Sequence, residues 1–126
     1  MKYSKAGIYV DGYELLKLLK RAQYTMTKTD RVIYGTPVLK ANTDFLAAFV
    51  MAYDFEEERW YYIKKMCSTF EVLKMQLRII SEENILKVTT HENANMKPDS
   101  LKLQIFTLVG RIDEGITKWR RSFRAS

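Results

Sequence analysis

Apolar side chains recur at helical spacing along most of the chain, and the breaks in that rhythm divide it into four rods. Leu15, Leu18, Leu19, Ala22 and Met26 step by threes and fours, which gathers them on one face of a helix. Lys17, Lys20 and Arg21 fall on its other faces. Asp11 and Glu14 have the spacing of a capping box, so the first helix is expected to start at Asp11, with residues 1–10 as a short tail. The chain must turn over Thr27 to Thr36. Thr36-Pro37 reads as an N-cap followed by proline at the first helical position, and the second helix then runs to about Tyr53. The alternative is a helix that starts near Asp30 and is kinked by Pro37. Val38, Leu39, Phe45, Leu46, Phe49, Val50 and Tyr53 form its buried face, with Ala47, Ala48 and Ala52 allowing a neighbour to approach closely.

Four acids in Asp54–Glu58 precede the third helix, where carboxylates favour the positive end of the helix dipole. Its stripe of Trp60, Ile63, Cys67, Phe70, Leu73, Leu77 and Ile80 has the spacing of a bundle seam, and the helix is expected to reach Leu86. Val88–Lys97 has no periodicity and reads as a loop. Pro98-Asp99 restarts a helix that carries Leu101, Ile105, Leu108, Ile112, Gly115 or Ile116, and Trp119 to about Ser122. Four amphipathic rods with connections mostly this short predict one all-α domain over residues 1–126, an antiparallel up-down-up-down four-helix bundle.

Composition agrees with that architecture. At 126 residues and 47% hydrophobic, with five Gly and two Pro, the chain can fill one core and has few breakers. Its longest uncharged apolar stretch, Phe45 to Tyr53, falls short of the roughly 20 residues a membrane span needs. Asp11, Glu14 and Lys17 interrupt any secretory signal, so a cytoplasmic chain with no membrane role is expected. Cys67 is the single cysteine and is read as a small core hydrophobe.

Catalytic patterns are missing. Glu56, Glu57 and Glu58 lack the Glu-x-x-His pairs of metal-binding bundles, and His91 stands alone in the expected loop. The glycines form no phosphate-cradling motif, and no nucleophile stands with a plausible base. A non-enzymatic chain with no metal and no cofactor is therefore expected.

Charge supplies the positive signal. Lysine plus arginine outnumber acids by 21 to 15, for a formal charge of +6. The excess is uneven: through Arg31 there are seven bases and three acids, hence +4, and from Gly110 onward five and two, hence +3. If the first and fourth helices are neighbours, Lys17, Lys20, Arg21, Arg111, Lys118, Arg120, Arg121 and Arg124 make one wall able to displace counterions from a phosphate backbone. A merely solvated face would carry the same imbalance. Lys74 and Arg78, one turn apart, form a second candidate patch. Trp60, Phe70 and Trp119 lie on the apolar stripes, whereas Tyr34, Tyr61 and Tyr62 lie off them and suit an oligomer interface.

Three stretches, in order, carry a family resemblance over Lys28 to Trp119. Lys28-Thr29-Asp30-Arg31 followed by Gly35 is similar to a Pro-Lys-x-x-Arg-x-x-x-Gly approach to a second helix. Leu73-Lys74-Met75-Gln76-Leu77-Arg78 is similar to a Leu-Arg-x-x-Leu-Arg stretch on a third, and Val109-Gly110-Arg111-Ile112, then Gly115 and Trp119, to a last helix. Together they resemble the accessory variability proteins of diversity-generating retroelements, which are related in fold to the four-helix proteins encoded in intervening sequences of bacterial large ribosomal RNA genes. The resemblance implies a homopentamer with a basic surface that binds a reverse transcriptase and its template RNA or cDNA and supports error-prone copying. It associates Lys74 and Arg78 with nucleic acid, and Lys28 and Arg31 of the first stretch join the candidate contacts. The alternatives are a ribosomal-RNA-associated bundle with no polymerase partner and a structural oligomer whose charges only solvate it.

Overall fold

The computed structural model describes residues 2–86 and 98–124, with side chains except those of residues 2, 98–100 and 124. Its regular elements are all helical. A 3-10 turn, Lys2–Lys5, leads into α1, Gly7–Tyr24; α2, Lys28–Asp30, passes through a π turn, Arg31–Gly35, into α3, Thr36–Asp54. A second 3-10 turn, Glu56–Glu58, opens α4, Arg59–Glu82, and α5 spans Pro98–Arg124. The expected loop Val88–Lys97, with His91, lies outside the described residues.

The four long helices form a helical bundle. α3 packs most broadly on α4, and α1 on both α5 and α3, whereas α4 and α5 touch sparsely. Leu15, Phe45, Phe49, Ile63, Met66, Phe70, Leu73, Ile105 and Ile112 are fully buried between them. Phe45 meets Phe70 with ring centroids 5.0 Å apart. At the α1–α3 crossing Gly12 brings the helices close: a Cβ there would stand 2.6 Å from Leu46 Cδ2 and 3.1 Å from Phe45 Cε2, so the Leu46 side chain would have to move. Asn42 is buried at the same crossing, its Nδ2 donating to the Gly12 carbonyl at 3.1 Å.

Several element ends differ from the sequence expectations. α1 begins at Gly7, a full turn before Asp11, so residues 7–10 belong to the helix rather than to a tail. Ile8 explains the extension: it lies seven residues before Leu15 on the same stripe and is buried, and burying it favours another helical turn. Asp11 is therefore inside the helix, 8% exposed, and its carboxylate pairs with Arg111 rather than capping amides.

Thr36 is no cap either. Thr27 is, since its hydroxyl accepts from the Asp30 amide at 3.1 Å. Helical backbone then continues through Thr36, whose amide reaches back five residues to the Arg31 carbonyl. Pro37 follows this wide turn, and it lacks the amide that an α-ladder would have paired with the Ile33 carbonyl. The helical start near Asp30 is thus the reading closer to the structure, with a π turn where a kink was expected.

α4 stops at Glu82, short of Leu86. Asn84 adopts a left-handed conformation, φ 52°, while the Asn84 amide bonds Ser81 O at 3.3 Å and the Ile85 amide bonds Ile80 O at 3.1 Å. This closes the helix and folds buried Ile85 back over buried Ile80. At the other end of α4, Trp60 is 45% exposed and off the core. The buried run Ile63, Met66, Phe70, Leu73, Leu77, Ile80 leads back by four to Arg59, whose guanidinium instead caps α3 by donating to Ala52 O at 2.9 Å and Tyr53 O at 3.3 Å.

Candidate nucleic-acid interface

The wall expected from the sequence requires α1 and α5 to be neighbours, and they are. Arg111 donates to the Asp11 carboxylate at 2.9 Å. Arg21 and Arg111 line one groove of about 490 Å³ with Glu14, Leu18, Leu103, Gln104, Thr107 and Leu108. Arg111 and Lys118 share the next cavity, and Lys118 and Arg121 the shallow surface beyond it with Asp113, Glu114 and Thr117. Arg21, Arg111, Lys118 and Arg121 therefore follow one another as a row along this flank.

Acids interrupt that row more than charge totals suggested. Glu14 is held by Lys17 at 3.2 Å, and Asp113 by Lys74 at 3.3 Å. With Lys17 and Lys74 included, six bases stand against Asp11, Glu14, Glu71, Asp113 and Glu114, leaving +1. The unneutralised cations are Arg21, Lys118 and Arg121, each exposed and without a carboxylate partner among the described residues.

The other candidates are scattered by the fold. Lys20 is exposed but lies nine residues past Asp11, on the opposite side of α1 from the α5 contact. Arg120 occupies the other flank of α5, beside Cys67 of α4, and its Nε is buried without a hydrogen-bond partner. Neither joins the row. The Arg124 side chain lies outside the described residues. Lys28 is exposed on α2, whereas Arg31 donates to the carbonyls of Gln23 at 3.3 Å and Met26 at 3.4 Å and so closes the end of α1.

Lys74 and Arg78 are both engaged. The Lys74 ammonium sits between Glu71 at 2.7 Å and Asp113 at 3.3 Å, over the Phe70 ring at 5.2 Å. Burial alone would lower its pKa, but hydrogen bonds and attraction from Glu71 and Asp113 outweigh that and hold it above the ordinary lysine value. Arg78 pairs with Glu82 at 3.4 Å in full view of solvent, where such a pair contributes about 0–1 kcal/mol.

Cys67 is half-buried against the core rather than inside it. Burial raises its pKa above the ordinary thiol value, against the opposing pull of Arg120. Alkylation at pH 8 is therefore expected to run slower than that of a free cysteine peptide and to accelerate as pH rises through the alkaline range, because the thiolate is the nucleophile. A rate equal to the peptide's at pH 8 would mean that the thiol is neither desolvated nor shielded.

Among the described residues no group of three or more His, Cys, Asp or Glu is placed to hold a metal, and no helix is long and apolar enough to cross a membrane. The feature that periodicity missed is the cavity between the start of α1 and the end of α5, about 410 Å³ in volume. Gly7 and Gly115 line it, and their only sequence signal is the presence of two residues without side chains on helices otherwise rich in large ones. No known protein family, curated protein or solved structure matches this chain.

Proposed function

We propose that this chain is a non-catalytic nucleic-acid-binding accessory protein whose α1–α5 flank meets a phosphate backbone. The observation that carries the reading is the row Arg21, Arg111, Lys118 and Arg121, in which three members have no carboxylate partner among the described residues. Cations fixed along two packed helices gain from released counterions without ordering a flexible tail.

The finer architecture belongs to the same proposal. Asp11 pairs with Arg111, while Arg21 shares a groove with Leu103 and Thr107, so numbers rise along α1 as they fall along α5. That descending register supports an antiparallel up-down-up-down bundle. Val72, Met75 and Ile79 stand exposed at helical spacing on the outside of α4, an apolar strip suited to burial in a homo-oligomer. The ordered motifs from Lys28 to Trp119 supply the remainder: assembly as a pentamer, with a reverse transcriptase and its template RNA or cDNA as partners.

Binding to single-stranded RNA across a salt series tests the reading. Four phosphate contacts give a slope of log affinity against log salt of about −3, and reversing Arg21 and Arg121 together to glutamate should flatten it by about 1.5. A slope near zero, or one that the double variant leaves unchanged, overturns the proposed interface. The structural-oligomer alternative is favoured by the ion pairs that occupy Lys17, Lys74, Arg78 and Arg111. It requires a constant assembly mass with no retention on an immobilised polyanion.

A further inference from the structure

The cavity between the first turn of α1 and the last turns of α5 joins an aromatic wall to a charged rim. Tyr53 and Trp119 form the wall, with fully buried Phe49 behind them. The Trp119 ring lies 5.1 Å from Phe49 and 6.5 Å from Tyr53, the latter pair within 12° of parallel. At the rim stand Lys118, without a carboxylate partner among the described residues, and Arg111, held by Asp11 at 2.9 Å. Gly115 allows the two helices to meet, since a Cβ there would already press on Ile8 Cγ1 at 3.1 Å. A Cβ on Gly7 would have open space for 4 Å.

We infer that this cavity takes a nucleotide. The volume of about 410 Å³ lies within the range of small-molecule sites. A planar base can stack against the Trp119 and Tyr53 side, as bases do on aromatic platforms. Its phosphate then meets the ammonium of Lys118 and the guanidinium of Arg111. The Asp11 carboxylate, which offers only acceptors, takes a hydrogen bond from a ribose hydroxyl or an exocyclic amine. Each simpler occupant leaves part of the site unused: an inorganic anion ignores the aromatic wall, and an apolar molecule ignores the rim.

Two sources share this chemistry, a free mononucleotide and the terminal nucleotide of a strand lying along the cationic row; the second rests on the proposed function. The experiment uses the full chain with Trp60→Phe, which leaves Trp119 as the only tryptophan. Its emission is followed during titration with adenosine monophosphate, adenosine, inorganic phosphate and a short 5′-phosphorylated RNA.

Saturable quenching by the monophosphate, with adenosine and phosphate each at least about ten-fold weaker, is the expected result for a free nucleotide. Quenching by the RNA alone assigns the site to a strand end. Gly7→Leu sets its Cβ where nothing lies within 4 Å and replaces a glycine in a helical turn, so the variant should fold, which its circular dichroism checks; it should weaken either response about ten-fold or more. The inference is overturned if neither the monophosphate nor the RNA changes Trp119 emission, or if quenching survives Gly7→Leu. Salt-dependent RNA binding without quenching removes the cavity and leaves the interface, whereas quenching by the monophosphate without salt-dependent RNA binding does the reverse.

Discussion

Phe45→Ala is expected to lower stability by about 3–5 kcal/mol, the range for a large aromatic lost from a core that cannot collapse around the gap. Phe45 is fully buried, with Phe70 at 5.0 Å on one side and the Gly12 backbone on the other. Relaxation would require α1 and α3 to move closer, yet they already meet through Gly12, with the Leu46 side chain packed against it, so the backbones have little room to close the gap. Urea unfolding checks this: the midpoint should fall with an unchanged denaturant slope. A loss under about 1 kcal/mol would show that the crossing is softer than its geometry implies.

Asn42→Asp should be comparably damaging at neutral pH and much less so in acid. Asn42 is 0% exposed, its amide donates to Gly12 O at 3.1 Å, and its Oδ1 is buried without a partner. Aspartate would aim a carboxylate oxygen at that carbonyl oxygen in apolar surroundings. Both effects favour the protonated acid, so its folded-state pKa would be raised above the unfolded value of about 3.9. The folded state then binds the extra proton: the variant is most stable below about pH 4 and loses stability as pH rises toward the raised folded value. At pH 7 the uncompensated buried charge is expected to cost about 3 kcal/mol or more. Asn42→Ala, measured alongside, should show no such pH dependence, and a flat profile for the aspartate variant would mean that water reaches this crossing.

The comparison of sequence with structure divides along a physical line. Core stripes such as Leu15, Leu18, Leu19 and Ala22, or Phe70, Leu73, Leu77 and Ile80, were legible because a helix repeats every 3.6 residues and burial selects one face. Several helix ends were not, because they depend on what packs against them, although α5 starts at Pro98 and α3 ends beside Tyr53 as local signals suggested. The Asp11–Glu14 spacing is a good local cap, but Ile8 had a core to enter and Arg111 was waiting for the carboxylate. Asn84 ended α4 since folding Ile85 back satisfied both backbone and core. Arg59 rather than Trp60 occupies the end of the α4 stripe because the final carbonyls of α3 needed donors.

The candidate interface was legible in sign and only in part by residue. Charge can be summed along a chain, but Asp113, the second partner of Lys74, and Asp11, the partner of Arg111, lie 39 and 100 residues away in sequence. Which flank of α5 faces α1 follows from packing, and it assigns Arg111 and Lys118 to the row while leaving Arg120 beside Cys67. The aromatic cavity needed the meeting of α1, α3 and α5, which no single stripe encodes.

The π turn at Arg31–Gly35 has a bearing on descent. Such a turn is what results when a helix absorbs one residue more than its ordinary ladder can hold. Removing a single residue from that stretch would restore the common spacing while Thr27 still seals the front and the α3 stripe keeps its bearing on the core. Kindred chains with a one-residue gap between Thr27 and Thr36 are therefore expected to share this bundle, whereas a similar gap within Phe45–Phe49 would swing half of the α3 stripe out into solvent.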